Sequence, residues 1–236
     1  MSKVFLFSFS CLFMLLNVVA SAKFSELFDI IWAPDHITTQ GDGVILTLDK
    51  ESGWGFMSKN KYLLGKMSAQ IKLVQGDSAG TVTAFYLSSD GSDHDELDFE
   101  FLGNVSGEPY LVQTNVIFNG IGDREQRHGL WFDPTTDFHN YSFLWNHRFI
   151  IFQVDEVPLR VFEKKEEIGI RYTISNISTN GTKCSKPGQF WWDRSSNKKL
   201  DKDQRRQLNI VQEKYLIYDY CKDTARFTQL PKECQN

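Results

Sequence analysis

What this chain lacks most clearly is an excess of positive charge: 26 lysines and arginines stand against 30 aspartates and glutamates, for a net charge of -4. That balance excludes a polyanion such as nucleic acid as the main ligand. Long apolar runs are also missing. Beyond the first 22 residues no segment approaches the roughly 20 apolar residues that a spanning helix needs, so no membrane anchor is expected in the mature protein. Cysteine is sparse, with four residues in 236. Cys11 lies in the first segment, and the remaining Cys184, Cys221 and Cys234 leave room for a single intramolecular disulfide. Oxidising conditions would favour the pair Cys221 and Cys234, which closes a short C-terminal loop. Cys184 then stays unpaired, an oddity in a secreted chain. Internal repeats and low-complexity tracts are absent.

The first 22 residues have a basic start at Lys3, an apolar core from Val4 to Leu16 and a small-residue end, Ala20-Ser21-Ala22. This is the pattern of a secretory signal peptide, with a mature chain from Lys23. Removing 22 residues from 236 leaves 214, compatible with one β-rich domain. Short runs rich in β-branched and aromatic residues follow one another at residues 44–48, 67–73, 81–87, 111–118 and 141–145. A hairpin is expected from Phe149 to Phe162 around Asp155-Glu156. Regular spacing of such strands predicts an all-β sandwich or jelly roll. From Asp201 the period changes. Leu208, Val211, Tyr215 and Tyr218 fall three or four apart, and Asp201 with Gln204 forms a capping box, so a C-terminal helix is expected to pack on the sandwich. Aromatic residues make up 14% of the chain. Their flat faces suit a protein core and also a sugar-binding groove; core packing is the default for each single ring.

One run stands apart. His94-Asp95-Glu96-Leu97-Asp98-Phe99-Glu100-Phe101 places four acids within six positions. In an extended strand Glu96, Asp98 and Glu100 share one face while Leu97, Phe99 and Phe101 take the other. Crowded carboxylates disfavour one another's ionisation and raise at least one pKa, an arrangement suited to proton chemistry. Retaining glycoside hydrolysis needs a nucleophilic carboxylate and a second group that acts as acid and then base, roughly 5 Å apart. Four strand residues separate the Cα atoms of Glu96 and Glu100 by about 13 Å, so both side chains must lean inward with Asp98 between them. A solvated strand face, or a calcium site built from carboxylates, is the other reading. Calcium ligands come mostly from loops and backbone carbonyls, which a strict strand spacing fits poorly; no metal and no cofactor is expected.

The residues from His94 to Asn104 resemble the active-site motif of plant xyloglucan endotransglucosylase/hydrolases, members of glycoside hydrolase family 16. The resemblance continues through Trp32-Ala33-Pro34-Asp35-His36, Gln113-Thr114-Asn115, Gly122-Asp123-Arg124-Glu125-Gln126-Arg127, Trp131-Phe132-Asp133-Pro134 and Tyr218-Asp219-Tyr220-Cys221, and on to Cys234. It implies a retaining, concanavalin-like β-jelly-roll enzyme, secreted to the apoplast and cell wall, acting as a monomer on a xyloglucan donor and a xyloglucan acceptor. By this resemblance Glu96 is the nucleophile, Glu100 the acid/base and Asp98 a helper carboxylate. Gln113, Thr114, Asn115, Asp123, Arg124, Glu125 and Arg226, together with Glu100, bind the polysaccharide. Without the family pattern, Asp123-Arg124-Glu125 would read as a hydrated turn with local ion pairs.

Four N-glycosylation sequons occur, at Asn104, Asn140, Asn176 and Asn180. Asn104 is the leading candidate, and Asn140 the least suited because it enters a strand. The expected organisation is a signal peptide at 1–22, a jelly-roll domain at 23–170 and a family-specific extension at 171–236. After Ile170 the family pattern breaks. Strands that should follow are replaced at once by Arg171-Tyr172-Thr173, which resembles a later segment, and the family partner of Cys184 would lie near Tyr172. The chain therefore reads as internally shortened, and a binding-only or inactive variant stands as the alternative to an enzyme.

Overall fold

The computed structural model describes residues 22–165, 190–194, 197 and 199–235. The leader, the junction after Ile170, Cys184 and the sequons at Asn176 and Asn180 lie outside the described residues. The chain divides into two compact units, Met1–Lys61 and Tyr62–Asn236.

In the first unit a single helical turn, α1 (Phe24–Leu27), leads into β1 (Phe28–Trp32), which pairs antiparallel with β4 (Gly55–Ser58). Between them β2 (Ile37–Gln40) and β3 (Gly43–Leu46) form a second two-stranded ribbon. The rings of Phe24, Phe28 and Phe56 meet at 5.1 to 5.4 Å. Ile30, Ile31, Trp32, Ile45 and Met57 stay exposed. Two-stranded ribbons bury little on their own and are marginal without further cover.

The second unit holds the sandwich. One antiparallel sheet runs in the order β12 (Val157–Glu163), β11 (Phe149–Val154), β10 (His139–Trp145), β5 (Gly65–Ile71). The other runs β13 (Leu216–Asp219), β9 (Gln126–Gly129), β8 (Leu111–Ile117), β7 (Glu96–Leu102), β6 (Val82–Ser88). Leu97, Phe99 and Phe101 of β7 and Val112 and Val116 of β8 meet Tyr141, Phe143, Ile150, Phe152 and Val154 from the opposing sheet in one buried core. Phe99 sits at its centre, 5.0 Å from Phe143 and 5.5 Å from Phe152, ring centre to ring centre. β11 is buried at every position because Phe149 and Ile151 are covered on the far side by Leu144, Val161, Trp192 and Leu200. That double cover explains a sequence that is apolar at every position but Gln153.

The jelly-roll sandwich expected from the strand pattern is the fold observed. α2 (Lys202–Lys214) starts at Asp201, whose side chain accepts from the Gln204 amide while the Gln204 side chain returns the bond, the capping box read from sequence. Val211 enters the core, and Gln212 Nε2 donates to the Leu159 carbonyl at 2.9 Å. One expectation fails here. Tyr218 does not continue the helix: Tyr215 ends it, and Leu216–Asp219 becomes β13 at the edge of the acidic sheet. The three-residue spacing of Tyr215 and Tyr218 fits a helix, but Leu216, Ile217 and Tyr218 are β-formers beside the open edge of β9, and the segment gains backbone hydrogen bonds there as a strand, with a register shift between Leu216 and Tyr218. Cys221 and Cys234 are joined by a disulfide.

Candidate active site

β7 lies between β6 and β8, and the period of two turns Glu96, Asp98 and Glu100 outward from the sandwich core. Cross-strand neighbours complete that face. Tyr86 and Asn115 flank Asp98, Ala84 and Gln113 flank Glu100, and Ser88 and Ile117 flank Glu96. The loops at the strand ends are pinned. Asp95, the fourth acid of the motif, is buried beside the row, and its Oδ1 accepts from the Asn119 amide at 2.8 Å. At the other end Gly103 leaves no room for a side chain, since a Cβ there would run into the Ser78 carbonyl.

The three outward carboxyl groups differ in environment. Asp98 is only 6% exposed, whereas Glu96 and Glu100 are partly open. Burial, the Glu96 charge, a hydrogen bond to Glu96 and the Glu100 charge push Asp98 up to about 9, against a smaller pull from Arg160. At neutral pH Asp98 therefore keeps its proton and donates it to the Glu96 carboxylate. The raised Asp98 suits a helper carboxyl that shares its proton with Glu96. His94 Nε2 lies 3.7 Å from Glu96 Oε2. On the other side Gln113 Nε2 donates to Glu100 Oε2, and Arg127 Nε donates to Gln113 Oε1 at 2.7 Å.

The remaining sequence candidates separate. Asn115 faces outward beside Asp98, and its Oδ1 accepts from the Arg124 and Val116 amides. Thr114 does not join them: it is fully buried on the core face, where its hydroxyl and carbonyl accept from Arg160 Nη1 at 3.2 and 3.1 Å. Alternation along β8 makes that unavoidable. Arg226 gathers Asp123 and Glu125, with Nη1 donating to Glu125 Oε2 at 2.8 Å and Nη2 to Asp123. These pairs raise the Arg226 guanidinium further above its ordinary value. Arg124 turns instead to Glu233, at 2.6 Å, and to the Ile121 and Gly122 carbonyls. The turn is thus laced by ion pairs, but to the C-terminal extension more than 100 residues away rather than to itself. Asn104 Nδ2 donates to the Pro109 carbonyl, and Asn140 leads into the fully buried Tyr141 and Ser142.

Sequence reasoning passed over Arg127, Tyr86 and Arg160. Arg127 stood in the quoted motif without a role, and Tyr86 stood in a strand run whose outward phase was legible. Arg160 could not be found: its guanidinium packs 5.5 to 5.9 Å from the rings of Phe152, Phe162 and Tyr220, which come together only in the fold.

Residues 24–201 match the family model "Glycosyl hydrolases family 16", and residues 186–234 match "Xyloglucan endo-transglycosylase (XET) C-terminus". The chain belongs to glycosyl hydrolases family 16. Among relatives of this family 16 chain, xyloglucan endotransglucosylase/hydrolase protein 9 of Arabidopsis thaliana is 44% identical, with 97% of each chain covered. Xyloglucan endotransglucosylase protein 6 of Diospyros kaki is 46% identical, covering 92% of this chain and 89% of its own. The Arabidopsis match runs over 280 aligned positions although this chain has 236 residues, so the relative carries stretches that are missing here. Two solved structures share the fold at a TM-score of 0.50. One is a β-1,3-1,4-glucanase from a mouse hindgut metagenome, 23% identical, covering 61% of this chain and 75% of that one. The other is the Crh5 transglycosylase without ligand, 22% identical, covering 61% and 56%.

Proposed function

We propose that this protein cleaves the β-1,4-glucan backbone of xyloglucan by a retaining mechanism and passes the glycosyl-enzyme intermediate to another xyloglucan end or to water. The observation that carries this reading is the outward row of three carboxyl groups whose middle member, Asp98, is buried and kept protonated by its surroundings. Glu96, held by the Asp98 proton, attacks the anomeric carbon, and Glu100 gives a proton to the departing glycosidic oxygen. The covalent glycosyl ester on Glu96 then opens when an acceptor hydroxyl attacks the same carbon and yields its proton to Glu100. A neutral Asp98 orients Glu96 without adding a charge of its own to a crowded face. Gln113, Asn115, Asp123, Glu125 and Arg226 bind the donor and acceptor chains; Thr114 and Arg124 support the strand and the turn behind them.

The enzyme acts as a monomer after secretion to the apoplast and cell wall, in keeping with the leader pattern and the Cys221–Cys234 disulfide. A glycan on Asn104 fits its surroundings, because an N-linked amide keeps one N–H for the Pro109 carbonyl. The missing stretches favour a second reading, a family member that binds xyloglucan without turning it over. Transfer of xyloglucan onto a labelled xyloglucan oligosaccharide by the secreted protein decides between them. Transfer that disappears in Glu96→Ala supports the enzyme, and retention on xyloglucan without transfer supports the binding protein.

A further inference from the structure

The acidic sheet carries a transverse line of side chains besides the catalytic row. Glu100 pairs with Gln113, Gln113 with Arg127, and Arg127 with Tyr218, so four neighbouring strands from β7 to β13 contribute one residue each at the same level of the same face. The contacts follow the register. Gln113 donates to Glu100, Arg127 Nε donates to Gln113 Oε1, and the Arg127 guanidinium packs 5.4 Å over the Tyr218 ring. Tyr218 is tied in turn, with its hydroxyl donating to Asp223 Oδ2 at 2.8 Å and accepting from Arg226 Nη1 at 3.4 Å.

The direction of each bond matters. A glutamine amide is nearly symmetric in shape, and either end could face Glu100. If the oxygen did so, it would meet a carboxylate oxygen whenever Glu100 is ionised. Arginine has only donors, so Arg127 must take the amide oxygen for itself, and the NH2 group is left to point at Glu100. We infer that Arg127 is a positioning residue for proton transfer: it fixes the Gln113 amide so that one Glu100 oxygen is held by a donor in both charge states, leaving the other oxygen to give and take the proton. Tyr218 holds Arg127 in place, which gives the C-terminal extension a part in the chemistry.

The inference rests on Glu100 being the acid/base, and the test separates the two. Arg127→Met and Glu100→Ala are assayed on xyloglucan and on an aryl glycoside of a xyloglucan oligosaccharide whose chloronitrophenol departs without acid help. Arg127→Met is expected to lose on the order of 10²-fold in kcat on xyloglucan, the lower end of what general acid catalysis supplies, with KM within about twofold. On the aryl glycoside the loss in the glycosylation step should shrink to a few-fold, and Arg127→Lys, which restores a donor, should recover part of the rate on xyloglucan. Thermal unfolding monitors the fold. If Arg127→Met does not fold, Arg127→Gln is carried through the same assays. Equal losses on both donors for the Arg127 variants, or a defect confined to KM, overturn the inference while Glu100→Ala stays leaving-group dependent. If Glu100→Ala itself loses equally on both donors, the acid/base assignment falls.

Discussion

The two faces of β7 are built from alternate residues of one strand and obey different physics. Leu97, Phe99 and Phe101 face the sandwich core and are fully buried. Glu96, Asp98 and Glu100, one residue out of phase, concentrate acid groups on the outer face, with Asp98 pressed into its neighbours. Close packing stabilises the first face. The second is costly, since Asp98 is buried beside Glu96 and Glu100 and keeps a proton. The strand can hold such a face because its other side is anchored in the buried core between the sheets.

Substitutions should pull the faces apart. Glu96→Ala is expected to lower transfer by at least ~10³-fold, as for loss of a nucleophile, while the protein still unfolds cooperatively; retained transfer would remove Glu96 from the mechanism. Phe99→Ala acts from the other side. Losing a ring packed against Phe143 and Phe152 should cost about 3–5 kcal/mol of stability in denaturant titration, and a loss below about 1 kcal/mol would mean that the core can collapse around the gap.

The acid face has its own stability signature. Asp98 is raised in the folded state from 3.8 to about 9. The folded protein therefore binds this proton more tightly than the unfolded chain does, and the stability linked to it is complete below about pH 4 and drains away as pH rises to about 9. Asp98→Asn removes that titration, so its melting temperature relative to wild type should climb steadily across the window. A constant difference would show that Asp98 is not protonated. Transfer by the wild type should also fall as pH passes about 9, when a new charge forms beside Glu96. The smallest effect is expected at Thr114→Val. Arg160 then keeps the Thr114 carbonyl but loses the hydroxyl, for about 1 kcal/mol in urea unfolding.

The same contrast explains what could be read in advance. Runs at 81–87 and 111–118 became β6 and β8 within a residue, because one buried face imposes the period of two. β9 was invisible. Gln126-Arg127-His128-Gly129 has no apolar alternation, and it is a strand because its backbone pairs with β8 and β13. β13 was hidden inside a helical period. Thr114 is placed in the groove by the family resemblance, although strand alternation alone would have turned it inward. The ion pairs of Asp123 and Glu125 with Arg226 cross 101 to 103 residues, a range over which sequence pattern carries no geometry.

By itself the sequence determined the acid strand, the sandwich and the family, since alternation and motif are local properties of the chain. Only the tertiary structure decided which carboxyl keeps its proton and which side chains line up beside Glu100. Protonation follows from burial and neighbouring charge, and alignment follows from strand register. Both depend on residues that are distant in the chain and adjacent only after folding.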